Sequence, residues 1–254
     1  MKVLILGHLG MIGSAVRKYY SCVADDVVTI EEPWPSPEFK KKVSSFSGDL
    51  IINCTGAIPQ KTNDFSINFE VPKFLCDTCP SEVKIINPAT DCVFEGDNNK
   101  PYEKYHKCDA TSDYGKSKIF EPPIGKKNFK SIRTSVIGYD RDDKELLSWF
   151  LSEEEPVHGY LNHWWNGVTT YEWAKISHKV YKAWNILSEN ILQFGTSPIS
   201  KYELLKIINF VFRANKDIIP YMADKSVNRL LISDYELKPI TQQLDELRKR
   251  TQEL

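Results

Sequence analysis

Met1-Lys-Val-Leu-Ile-Leu-Gly7-His-Leu-Gly10-Met-Ile-Gly13 is the stretch on which the fold turns. Val3 to Leu6 is an apolar run of the kind found in a strand covered on both faces, and three glycines break it. Residues 15–20 then read as an amphipathic helix. The first glycine suits a tight turn that no Cβ fits, the second lets backbone approach a pyrophosphate, and the third lets helix pack on strand. A helix starting there offers free N–H groups and its positive dipole end to an anion. The spacing is G-x-x-G-x-x-G, wider in its first gap than the G-x-G-x-x-G fingerprint. With a strand before it and a helix after it, the stretch reads as a dinucleotide-binding turn; the competing reading is a purely structural turn.

Working outward, residues 26–30 form a second apolar strand ending in Glu31-Glu32. A carboxylate about 20 positions past the glycine turn is where such units bind the ribose hydroxyl. Glu31 holds that place, and because a carboxylate repels a 2′-phosphate it favours NADH mildly over NADPH. Its other reading is an ordinary charged strand end. Residues 33–37 make a turn, 38–46 a short helix and 49–53 a third strand, after which Cys54-Thr-Gly-Ala-Ile58 leaves the strand end with small side chains. Residues 67–76 read as a helix and 83–86 as a fourth strand. Strands alternating with helices in this way predict an α/β fold, with a parallel sheet and right-handed crossovers. Past about residue 140 the pattern changes. Trp149, Trp164, Trp165, Trp173 and Trp184 gather there, with longer helical stretches at 170–187 and 201–214. That half reads as a substrate-side lobe, and residues 239–254 as a polar helix with its charges toward solvent.

The totals bound the rest. A chain of 254 residues, 41% hydrophobic and 12% aromatic, can bury a core as one compact domain or as a domain with a small lobe. Lys and Arg total 33 against 34 Asp and Glu, a net charge of -1, so no broad field favours nucleic acid or an anionic membrane. No apolar run reaches the roughly 18 residues that a membrane span needs, and none has the form of a signal peptide. A soluble, cytoplasmic protein is expected. The six cysteines are scattered, and Cys76-Asp-Thr-Cys79 has neither a second pair nor a nearby histidine, so reduced thiols and no metal site are expected.

The chemistry concentrates in Thr90, Tyr114 and Lys118. Tyr114-Gly-Lys-Ser-Lys118 puts a phenol and an ammonium four residues apart, on one face of a helix. An adjacent cation stabilises a phenolate and lowers its pKa. Thr90 could polarise a carbonyl while the tyrosine donates a proton and a nicotinamide delivers hydride.

With these residues in view, the sequence resembles an extended short-chain dehydrogenase/reductase, in the branch of dTDP-4-dehydrorhamnose reductases and related sugar-nucleotide reductases. The matching residues are the glycine turn, Asn53-Cys-Thr-Gly-Ala57, Asn68, Thr90-Asp-Cys-Val-Phe-Glu-Gly96, Pro101-Tyr-Glu103, Tyr114 to Lys118, Arg133-Thr-Ser135 and Trp165-Asn-Gly-Val-Thr-Thr170, spread over about residues 1–240. The resemblance implies a Rossmann-type, doubly wound parallel sheet with a small C-terminal substrate-binding lobe. The division would be 1–140 and 141–254, some later segments returning to the core. It implies NAD(P)H-dependent reduction of a nucleotide-linked 4-keto-6-deoxy sugar in deoxysugar and surface-glycan biosynthesis. Tyr114 would donate the proton, Lys118 would be its electrostatic partner, and Thr90 would orient the carbonyl. The cofactor would rest on Gly7, Leu9, Gly10, Met11, Ile12, Gly13, Glu31, Thr55, Gly56, Ala57, Asn68, Tyr114 and Lys118. Thr90, Cys92, Val93, Trp165, Asn166 and Arg229 would border the nucleotide-sugar pocket, an aromatic suiting a base and a cation a pyrophosphate; a core tryptophan and a solvated arginine are the other readings. The resemblance leaves room for a homodimer.

Two departures stand out. Pro122 and Pro123 should end the Tyr114 helix early. Asn87-Pro-Ala precedes Thr90 where relatives often carry a second serine. The alternatives are a nucleotide-sugar 4-epimerase, a 4,6-dehydratase using Asp91 and Glu95 as acid-base partners, or a non-catalytic NAD(P)-binding regulatory module.

Overall fold

The computed structural model describes residues 1–123 and 125–252. Strand β1 (Lys2–Leu6) is buried on both sides. Val3 and Ile5 enter one core layer with Val16, Tyr20, Trp173 and Val180; Leu4 and Leu6 enter the opposite layer with Phe39, Val43, Val71 and Leu75. Because alternate side chains both meet apolar partners, the strand is an unbroken apolar run.

The chain continues through α1 (Met11–Val23), β2 (Asp26–Thr29), α2 (Pro37–Ser44), β3 (Leu50–Asn53), α3 (Ile67–Thr78), β4 (Lys84–Ala89), α4 (Asp113–Ser117) and β5 (Phe129–Arg133). With the strand Ile191–Gln193, these strands form one six-stranded sheet in the spatial order β2, β1, β3, β4, β5, Ile191–Gln193. All neighbours run parallel, and Leu4 pairs with Val28 on one side and Ile51 on the other. The order of the chain reverses at β1. An open parallel sheet leaves a crevice beyond the carboxyl ends of its strands at such a point.

The glycines shape that crevice. Gly7 takes φ +70, the left-handed region that a side chain resists, and a Cβ on Gly13 would stand 2.1 Å from the Gly7 carbonyl oxygen. Helix α1 starts at Met11, ahead of the amphipathic pattern at 15–20, because Gly10 caps it with extended backbone. Ser36 caps α2 by accepting the Phe39 N–H at 3.2 Å, and Pro37 supplies the preset first turn.

Part of the second half belongs to this core. The helix Thr170–Lys182 lies on α1, with Trp173 fully buried and the Tyr20 hydroxyl 3.0 Å from Ser177 Oγ. A separate cluster joins Leu147, Phe150, Leu204, Ile208, Leu244 and Leu247. The last helix, Ile240–Gln252, is therefore not polar all round. Ile240, Leu244 and Leu247 recur at helical spacing and are buried, and buried Gln243 accepts the Thr169 N–H at 3.0 Å. The preceding helix, Lys201–Phe212, ends where Arg213 turns left-handed at φ 54. All six cysteines are free thiols. Among the described residues, no helix is long and apolar enough to cross a membrane.

Candidate active site

A cavity of about 480 Å³ opens in the crevice. Gly10, Met11 and Ile12 form one wall, Cys54, Thr55 and Gly56 leave the end of β3 beside them, and Thr90, Asp91 and Cys92 follow β4. Tyr114 and Lys118 come from α4, and Glu145, Leu146, Trp165 and Lys201 come from the second half. A larger open depression of about 990 Å³, flanked by Phe210, Arg213 and Arg248, contains none of these groups.

Local hydrogen bonds hold the wall after β3. Asn53 donates to Asn87 Oδ1 at 2.8 Å and accepts from the Thr55 N–H at 3.1 Å. Asn68 accepts the Ala57 N–H at 2.8 Å and donates to the Ala57 carbonyl and to Ser117 Oγ, each at 3.0 Å. One amide thus ties α3, this loop and α4 together.

Thr90 caps the single turn Asp91–Val93, its Oγ1 accepting the Cys92 N–H at 3.2 Å and donating to Asp91 Oδ1 at 3.1 Å. The same hydroxyl is close enough to the Tyr114 phenol to oppose in part the rise that burial causes there. Helix α4 is only five residues long, with Lys118 as its C-cap, as the prolines beyond it require. Lys118 Nζ lies 5.9 Å from the centre of the Tyr114 ring. It also packs over Gly56, where an added Cβ would be 2.9 Å away.

Electrostatics differ from the sequence reading in one respect. Burial, then the nearby Cys92, Asp91 and Glu145, push the Tyr114 phenol well above its ordinary value, whereas a cationic Lys118 was expected to lower it. Desolvation outweighs a cation that does not touch the hydroxyl. Burial also pushes Lys118 down to about 8. Asp91 is raised by burial against the pull of Arg229 and Lys201. Glu145 is raised by burial and by Asp140, against Lys61. Lys61, which lines the cavity, reaches from the loop after β3 to Asp142 at 2.7 Å and to Asp140 at 3.8 Å.

Several predicted residues stand behind or away from this wall. Gly7 and Gly13 shape the turn, Ala57 and Asn68 hold its loop, and Leu9 and Glu31 are exposed outside the cavity. Val93 is packed with Phe94 and Tyr102. Asn166 gives its amide to the Leu231 carbonyl at 2.8 Å and accepts the Leu231 N–H at 3.1 Å. Arg229 donates to the Phe94 and Glu95 carbonyls at 2.7 and 3.1 Å. Trp165 does line the cavity, held by its indole N–H on Ser135 Oγ at 2.8 Å. Glu95, bound to Thr111 and Lys225 and lowered to about 2, lies outside it. Sequence reading missed Lys61, Glu145 and Lys201. The Ser200–Glu203 capping box marks Lys201 as the start of a helix, but nothing local points it at the cavity. Among the described residues, no group of three or more His, Cys, Asp or Glu side chains is placed to hold a metal ion.

A family model, the RmlD substrate binding domain, matches residues 1–158. The chain belongs to that family. This RmlD family member also has the fold of many solved structures. A dTDP-4-dehydrorhamnose reductase from Clostridium acetobutylicum is 17% identical with a TM-score of 0.76, over 99% of this chain and 100% of that one. The Bacillus anthracis dTDP-4-dehydrorhamnose reductase, solved in complex with NADP, is 14% identical with a TM-score of 0.77, over 98% and 100%. The Bacillus anthracis dTDP-glucose 4,6-dehydratase, in complex with NAD, is 13% identical with a TM-score of 0.75, over 100% and 98%. At these identities the likeness is one of fold. A search of curated proteins finds no match.

Proposed function

We propose that the protein is an NAD(P)H-dependent reductase of a nucleotide-linked 4-keto-6-deoxy sugar. The observation that carries this reading is the convergence of Thr90, Tyr114 and Lys118 on one cavity whose wall is the glycine turn. The residues fit a dinucleotide. Gly10 caps α1 with no side-chain hydrogen bond, leaving its first-turn N–H groups open to a phosphate. A bound nicotinamide cofactor supplies the hydride. Tyr114 protonates the carbonyl oxygen, and its raised pKa keeps that proton in place at neutral pH. Thr90 stands beside the phenol and, by turning its single O–H from Asp91 to the substrate, donates a second hydrogen bond to the same oxygen. Lys118, at about 8, is cationic at neutral pH and stands ready for ribose hydroxyls. Glu31, just past β2, supports NADH over NADPH. Residence in the cytoplasm, and room for a homodimer, complete the reading.

A second reading draws on Asp91 and Glu145, two raised carboxyls beside Tyr114 that would suit the acid-base steps of a 4,6-dehydratase. The two differ in whether cofactor is consumed. Purified protein is mixed with NADH or NADPH and with dTDP- or UDP-4-keto-6-deoxyhexoses, and nicotinamide absorbance is followed. Stoichiometric consumption is expected, faster with NADH, with Tyr114→Phe lowering kcat by about 10²–10⁴-fold while cofactor affinity holds. An unchanged rate in that variant sinks the mechanism. Cofactor that stays bound through turnover favours the dehydratase.

A further inference from the structure

A second cavity, of about 610 Å³, adjoins the catalytic one, and the two share only Leu146 and Lys201 among their lining residues. Its other walls include Trp149, Pro156, Tyr160 and His163, with Tyr160 and His163 stacked at 4.4 Å. Such planar faces suit a heteroaromatic ring. Lys201 stands at the junction with no hydrogen bond or ion pair among the described residues. Its Nζ lies 5.7 Å from the centre of the Trp165 ring. Asp91, Cys92 and Arg229 act on it only at longer range. A half-buried ammonium that no carboxylate touches is free to meet an anion that enters from either cavity.

The sign of charge also varies along the second cavity. Glu153 and Glu155 lie on its wall, where they would repel a phosphate but could accept a ring N–H. An anion is therefore confined to the Lys201 end. Arg229, the other cation considered for this role, spends its guanidinium on two backbone carbonyls.

We propose that Lys201 is the substrate's anion hook, holding the diphosphate of a nucleoside-diphosphate sugar whose ketone faces Tyr114 and whose base enters the cavity of Trp149, Tyr160 and His163. This rests on the nucleotide-sugar reading above and assigns its ends to two cavities. Lysine binds phosphate as a compact charge, so arginine should substitute in part and a neutral residue should not.

The test is calorimetric titration of dTDP, UDP, GDP and CDP, and of the matching nucleosides, into wild type, Lys201→Gln and Lys201→Arg. At least one nucleoside diphosphate is expected to bind wild type, at least tenfold more weakly to Lys201→Gln and within about threefold to Lys201→Arg. The nucleoside should not distinguish the variants, and NADH affinity, measured on the same samples, should be unchanged and so report correct folding. Equal diphosphate affinity in Lys201→Gln and wild type overturns the inference, as does absence of diphosphate binding to wild type. Reduction of a nucleotide-linked ketone by Lys201→Gln with unaltered KM would discard Lys201 while leaving the reductase reading intact.

Discussion

The two walls of the crevice are built on opposite principles. The wall from the glycine turn and the end of β3 is made of backbone and amides whose hydrogen bonds are satisfied over short distances: Gly10 N–H on the Gly7 carbonyl at 3.0 Å, and Asn53 on Asn87 and Thr55. The facing wall brings together Asp91, Glu145 and Lys201, titratable groups displaced from their ordinary pKa values chiefly by burial. One wall is a rigid mould. The other keeps interaction strength in reserve for what enters. Tyr114 and Lys118 stand where the walls meet, which is why burial shifts both.

The contrast can be broken first at the mould. Gly13→Val drives a side chain into backbone 2.1 Å away, with no flexible neighbour to yield. Overpacking of this kind costs about 1–3 kcal/mol or more, so a large fall in the denaturation midpoint is expected. Gly10→Ala is the counterpart. Its nearest contact would be 3.4 Å, so thermal stability should hold while NADH affinity drops at least about tenfold, because the new methyl occupies the path of the phosphate. Equal loss of stability in both variants would refute the division of labour between the two glycines.

At the junction, Lys118→Met should raise stability and abolish turnover together. A lysine pushed from 10.5 down to about 8 is destabilising while charged, by on the order of 3 kcal/mol. The sign follows from proton counting. Between the folded and unfolded values the unfolded chain holds more protons, so this contribution makes stability rise as pH climbs from about 8 toward 10.5. Activity should fall over the same window as the cation is lost. Urea midpoints measured across that range should show a slope in wild type that Lys118→Met flattens.

Asn68→Ala should destabilise the fold less than Gly13→Val. It leaves the Ala57 N–H and carbonyl without their side-chain partner, which costs about 1–3 kcal/mol. Because Asn68 also anchors Ser117, one residue before Lys118, cofactor affinity should fall with it. A stability loss with cofactor binding intact would confine Asn68 to the scaffold.

The sequence is legible where structure is local. Strand β1, the glycine turn and Tyr114-to-Lys118 each depend on neighbours within a few residues, so spacing alone expresses them. The buried face of Ile240–Gln252 was visible as Ile240, Leu244 and Leu247, yet the surrounding charges obscured it. Glu145 and Lys201 were illegible for another reason. Each is a charged residue at the start of a helix, the usual place for a solvated side chain, until packing shields it beside the cavity.

Residue order and spacing thus decided the parallel α/β sheet, the crevice at β1 and the Thr90, Tyr114 and Lys118 set, because strand burial, turn geometry and helical periodicity are short-range consequences of side-chain type. Tertiary structure alone decided the direction in which burial shifts Tyr114 and Lys118, the removal of Arg229 from the cavity and the arrival of Lys201 at the join of two cavities. Those outcomes depend on desolvation and on which distant surfaces meet, quantities that no local stretch of chain contains.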